Sequence, residues 1–99
     1  MDNVHLSTIR SLIDNPEMHD DNLDEHLDDM MVTGISLEMR NKLSEAAMHG
    51  RHGWWKREIC DINHLRELRS KAIADNDHIS VMNYTAMLWA REHIDANPS

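Results

Sequence analysis

Six carboxylates crowd into ten residues: Asp20, Asp21, Asp24, Glu25, Asp28 and Asp29. Oxygen-rich runs of this kind can bind a hard cation or pair with a basic macromolecule. Calcium is a poor match, because an EF-hand loop uses a glycine at its sixth position and a terminal glutamate, and this run has neither. On a helix the six acids make like-charge pairs 20–24, 21–24, 21–25, 24–28, 25–28 and 25–29. At roughly 0.2–0.5 kcal/mol per pair they cost about 1–3 kcal/mol before screening. That is a noticeable part of the roughly 5–15 kcal/mol that holds a small domain together, so a compensating role is expected. The role that fits is a face for a basic partner, with carboxylates at phosphate-like spacing. The plain alternative is a solvated amphipathic helix.

A second set of residues has ligand chemistry. His49-x-x-His52 precedes Cys60-x-x-x-His64, three imidazoles and a thiol that could surround zinc. The spacing is loose and supplies one sulfur, so the set also reads as loop histidines, a small buried thiol and a surface histidine. No metal site and no cofactor is expected from it. No nucleophile elbow, P-loop or dinucleotide fingerprint occurs, and the few Ser and Thr fall at cap or helix positions, so no catalytic residues are assigned.

The charge is confined to one segment. Residues 1–35 carry nine acids against Arg10, whereas residues 36–99 carry nine acids and nine bases. We therefore divide the chain into an acidic N-terminal helical segment, 1–35, and a neutral helical core, 36–99, within one domain. Overall acidity argues against direct nucleic-acid or anionic-membrane binding. No apolar run is long enough to span a membrane, and the start of the chain lacks a signal-peptide pattern. Cys60 is the only cysteine. A reducing, cytoplasmic setting is the expectation.

The elements that must position these residues are all helical, with no convincing period-two run. A first helix over about 3–14 buries Leu6, Ile9, Leu12 and Ile13 and ends at Asn15-Pro16. A second runs from Asp20 or Asp21 to about Val32 with an inward stripe of Leu23, Leu27, Met30 and Met31; Gly34 stops it. Ser36 caps a third helix that closes at Gly50. The stretch from Gly50 to Cys60 reads as an ordered loop pinned by at least one buried Trp of Trp54-Trp55. Asp61 caps a fourth helix carrying Ile62, Leu65, Leu68, Ala72 and Ile73, and Asp77 caps a fifth to about Ile94. The fifth is apolar over more than half its circumference, which suits a bundle centre or a homodimer interface. The fold class is thus all-α, a small bundle of about five short helices with one ordered Trp/Gly loop.

From Met39 onward the order of motifs is familiar: Met39-Arg40-Asn41-Lys42-Leu43, Gly50-Arg51-His52-Gly53-Trp54, Cys60, Leu65, Leu68, Asn76-Asp77, and Val81-Met82-Asn83-Tyr84-Thr85-Ala86-Met87-Leu88-Trp89. This resembles a group of small helical proteins encoded by tailed phages and prophages. The resemblance implies a phage-type accessory protein in the cytoplasm of a bacterial host; residues 1–35 have no counterpart in it. That group is in turn distantly similar to the all-α nucleotide pyrophosphohydrolases, the MazG-like proteins, which bind magnesium through E-E-x-x-E and E-x-x-D. The first motif would fall within Arg66-Glu67-Leu68-Arg69-Ser70-Lys71, where only Glu67 is acidic, and the second on Asp77-His78-Ile79-Ser80, where a serine replaces the last acid. Asp24-Glu25-x-x-Asp28 and Glu92-x-x-Asp95 imitate the motifs in the wrong order, a coincidence in an Asp-rich chain.

Three functions follow as expectations. The first is a non-enzymatic accessory protein (inhibitor, DNA-mimic-like or adaptor) that engages a host or phage protein with a basic surface. Asp20, Asp21, Asp24, Glu25, Asp28 and Asp29 supply charge pairing, and Met30 and Met31 supply adaptable apolar contacts. The second is a degenerate nucleotide-binding relative with Glu67, Asp77, Asn83 and Trp54/Trp55 at its site. The third is a structural module that pairs its last helix with a second copy.

Overall fold

The computed structural model describes residues 3–15 and 21–96. Among these the regular structure is all helical, with no strand and four helices: α1 (Val4–Ile13), α2 (Asp21–Met48), α3 (Ile62–Ala74) and α4 (His78–Ala96). Contacts within the chain define two compact units, Met1–Glu38 and Met39–Ser99. The division falls inside α2, just past the charge boundary at residue 35.

In the N-terminal unit, Asn3 caps α1, its Oδ1 accepting from the amides of His5 and Leu6 at 3.0 and 3.4 Å. Its Nδ2 donates to the carbonyl of Gly34 at 3.0 Å. A Cβ on Gly34 would lie 3.3 Å from the Cβ of His5, so the absent side chain is what admits the start of α1. This overturns the expected helix stop. Gly34 sits mid-helix at a cost of about 1 kcal/mol relative to alanine, which the docking of α1 offsets. Ser36 does not cap a third helix either: its Oγ donates to the carbonyl of Val32 at 2.7 Å, a bond made inside a continuing helix. Two expected helices are therefore one, and the described residues form four helices where about five were expected.

The inward faces shift with it. On α1 the half-buried residues are His5, Ile9 and Leu12, while Leu6 and Ile13, expected inside, are exposed. On α2 the inward row is Leu23, Leu27, Met30 and Gly34; Met31, expected in that row, is 55 % exposed. The apolar phase set by residues 23, 27 and 30 lands on Gly34, one turn beyond. Pro16, assigned to end α1, lies outside the described residues; Asp14 is the C-cap.

In the C-terminal unit α2 ends as expected at Gly50, whose φ of 77° is left-handed. Arg51 N donates to Ala46 O at 2.9 Å and Gly50 N to Ala47 O at 3.0 Å, a Schellman closure. Helix α3 closes the same way around Asn76, with φ 56°. Asp61 Oδ2 accepts from Asn63 N at 3.1 Å at the start of α3, and Asp77 Oδ1 from Ser80 N at 3.1 Å at the start of α4, so both expected caps are present. Helices α3 and α4 pack on each other around buried Leu65, Ala72 and Leu88. Ile73 is exposed, contrary to expectation, and so are Met82, Trp89 and Ile94 of α4. Trp89 stacks on His93 at 5.8 Å between ring centroids.

The loop between α2 and α3 is ordered, but a tryptophan does not pin it. Trp55 is 61 % exposed and Trp54 half-buried. The pin is Arg91, a cation 5 % exposed, whose Nη1 donates to the carbonyls of Trp54 and Cys60, both at 2.8 Å. Gly53, buried with φ 91°, lets Ile59 approach to 3.5 Å from where its Cβ would stand.

Candidate functional site

The acidic segment of α2 and a groove in the C-terminal unit are the two places where the expected site residues fall. On α2, Asp24, Glu25, Asp28 and Asp29 are all exposed. Asp20 lies outside the described residues, and of Asp21 only the backbone is described, at the first position of α2. Met30 is 8 % exposed and serves the interior of its unit, leaving Met31 at the surface with Val32. At about 100° per residue, Met31, Asp24, Asp28, Val32, Glu25 and Asp29 follow one another around an arc of roughly 160°, opposite the inward row. Among the described residues no lysine or arginine pairs with Glu25, Asp28 or Asp29. The arc thus interleaves carboxylates with two exposed apolar side chains.

The groove is open to solvent and has a volume of about 740 Å³. Helix α2 contributes Lys42, Leu43, Glu45, Ala46 and Ala47; the loop contributes Arg51, His52, Trp54, Ile59 and Cys60. From α3 come His64, Leu65 and Leu68, and from the α4 cap and helix come Asp77, Ser80, Asn83, Tyr84 and Met87. Arg91 holds the loop side of this groove in place through the two carbonyls it bridges.

Of the nucleotide-site expectation, Trp54, Asp77 and Asn83 line the groove, whereas Glu67 and Trp55 do not. Asp77 is already committed. Lys42 Nζ donates to its Oδ2 at 2.6 Å and Ser80 Oγ to the same oxygen at 2.7 Å. Those bonds, Lys42 first, hold its carboxyl down to about 2, below the usual aspartate range. A carboxylate so engaged, with Glu67 elsewhere, gives magnesium no ligand set. His52, Cys60 and His64 also line the groove, while the Nδ1 of His49 donates to the carbonyl of Glu45 at 2.9 Å. Among the described residues no three His, Cys, Asp or Glu side chains are grouped to hold a metal ion.

The depressed value of Asp77 sets a sign. Its stabilising contribution is complete above the ordinary value near 4 and is lost as the pH falls through about 2. An NMR titration of the Asp77 carboxyl carbon should give a midpoint near 2. In Lys42→Met the midpoint should move up toward the ordinary value; an unmoved midpoint would rule out Lys42 as the main cause.

Comparison with protein-family models, with curated proteins and with solved structures returns no match. No helix among the described residues is long and apolar enough to cross a membrane.

Proposed function

We propose that this chain is a non-enzymatic accessory protein, of the phage type its C-terminal motifs resemble, that binds a protein partner through the outer arc of α2. The observation that carries the reading is the interleaving of Asp24, Asp28, Glu25 and Asp29 with exposed Met31 and Val32. A partner with a basic, partly apolar surface would neutralise the like-charge repulsion and cover both apolar side chains. Charge pairing supplies orientation and association rate; Met31 and Val32 supply the buried centre.

The test is capture from a bacterial lysate at low and high salt, with the wild type and a variant carrying Asp24→Asn, Glu25→Gln, Asp28→Asn and Asp29→Asn. A protein retained by the wild type at low salt and released both by salt and by the variant is the expected result. Retention that neither salt nor the substitutions weaken would sink the acidic arc as the binding face. The variant should also be no less stable than the wild type, because it removes like-charge neighbours.

A further inference from the structure

We infer that the outward face of α4 docks on the same face of a second copy of this chain, the two helices antiparallel and crossing beside Ala86. Helical phase defines the face. At about 100° per residue, His78, Met82, Ala86, Trp89 and His93 fall within an arc of roughly 80°. All five are exposed, Met82 to 41 % and Trp89 to 69 %, whereas Asn83, Leu88 and Arg91 are buried on the other side of the helix. The arc contains no Asp, Glu, Lys or Arg, although a solvated helix face is where charge ordinarily collects. Its largest side chain is already held: Trp89 stacks on His93 with 16° between the ring planes. Docking such a ring forfeits less rotamer freedom than docking a free one.

A second copy fits this face because the face is complementary to itself. An antiparallel pair with its two-fold axis between Thr85 and Ala86 sets residues equally far before and after that point level with each other. Trp89 of each copy then lies over Met82 of the other, ring against thioether, and the small Ala86 side chains let the helices approach at the axis. The charges agree as well. His78 and Glu92 lie on one edge of the face near its two ends, so each histidine comes level with the other copy's glutamate. Glu92 engages Arg66 through Oε1 at 3.2 Å, which leaves its second oxygen for that histidine. One helix face about 28 Å long and 10 Å wide falls short of the roughly 800 Å² per partner of a standard interface. The dimer is therefore weak, with a dissociation constant of about 0.1 mM. The pairing involves no residue of the acidic arc, so either reading can fail without the other.

Sedimentation equilibrium of the full chain from micromolar to millimolar concentration tests it. The wild type should pass from monomer to dimer across that range, and Trp89→Glu should lose about tenfold or more in self-affinity. Val4→Glu, which adds the same charge at an exposed position of α1, should dimerise as the wild type does. Register is read by cross-linking in a Cys60→Ser background. Oxidation should join Ala86→Cys to itself, because the two Cα atoms come within the roughly 7 Å that a disulfide spans. Met82→Cys, whose counterpart across the axis is Trp89, should stay unjoined. A wild type that is monomeric throughout, leaving the face to a different protein, overturns the proposal. So does dimerisation undiminished in Trp89→Glu, equal weakening in Val4→Glu, or Met82→Cys joining as readily as Ala86→Cys. The sedimentation series stands whether or not the Cys60→Ser background folds.

Discussion

Arg91→Ala is expected to destabilise the C-terminal unit by about 3–6 kcal/mol, the loss of two hydrogen bonds from a charged donor at roughly 1.5–3 kcal/mol each. The guanidinium is buried and bridges Trp54 O and Cys60 O from one nitrogen. Truncation leaves both carbonyls short of a donor and opens a void between α4 and the loop. Denaturant unfolding followed by circular dichroism measures the loss. Amide exchange should localise it: the amide of Cys60, bonded to Lys56 O at 2.8 Å, should exchange faster than amides of α3. Arg91→Lys should fall between wild type and alanine, since an ammonium can donate to the same carbonyls from a shorter stem. A change under about 1 kcal/mol in Arg91→Ala would mean that the loop is held by Gly53 and Ile59 instead.

The importance of Arg91 was not legible in the sequence, and the reason is geometric. An arginine in the last helix of a chain reads as a surface charge, because its partners are backbone carbonyls that carry no sequence signature. The neighbouring pairs Arg57–Asp95 and Arg66–Glu92 are surface contacts of the kind that reading supposes. A faint signal was available: Arg91 follows Leu88 by three positions, on the face that packs inward, where a solvated charge has no place. Asp61, Asp77 and Gly50 act as caps and stop because their chemistry satisfies helix-end groups within a few residues along the chain.

Gly34 and Ser36 show the opposite case. Both residue types favour helix ends, and their succession reads as a stop followed by a start. Long-range contact decided otherwise: Asn3 and His5, some thirty residues earlier, occupy the space that a side chain at Gly34 would fill. The same limit applies to the sites. The acidic arc was legible because helical phase alone puts Asp24, Asp28, Glu25 and Asp29 together, although Met30, expected to add an apolar contact there, turns inward. The groove was only partly legible. The resemblance groups Trp54, Asp77 and Asn83 but adds Glu67 and Trp55, which do not line the groove, and Lys42, which commits Asp77, comes from a helix thirty-five residues earlier.

Asn83→Leu should raise the stability of the protein by about 1–3 kcal/mol, the desolvation penalty of the buried acceptor it removes. Leucine keeps the branching of asparagine and puts a methyl where Oδ1 lies without a partner. The bond given up is weak, 3.4 Å from Nδ2 to Met39 O, and that carbonyl lies within α2, where it keeps its helical acceptor role. The slightly bulkier methyls work against the gain, which keeps it at the lower end of the range. Asn83→Asp should move the other way, because a carboxylate there would be buried without a cation and would meet the Met39 carbonyl with a second oxygen. Thermal and urea unfolding of the three proteins gives both signs in one experiment. If Asn83→Leu instead unfolds more readily than the wild type, the amide bond to Met39 O is structural, and the unpaired oxygen is a tolerated defect of that contact.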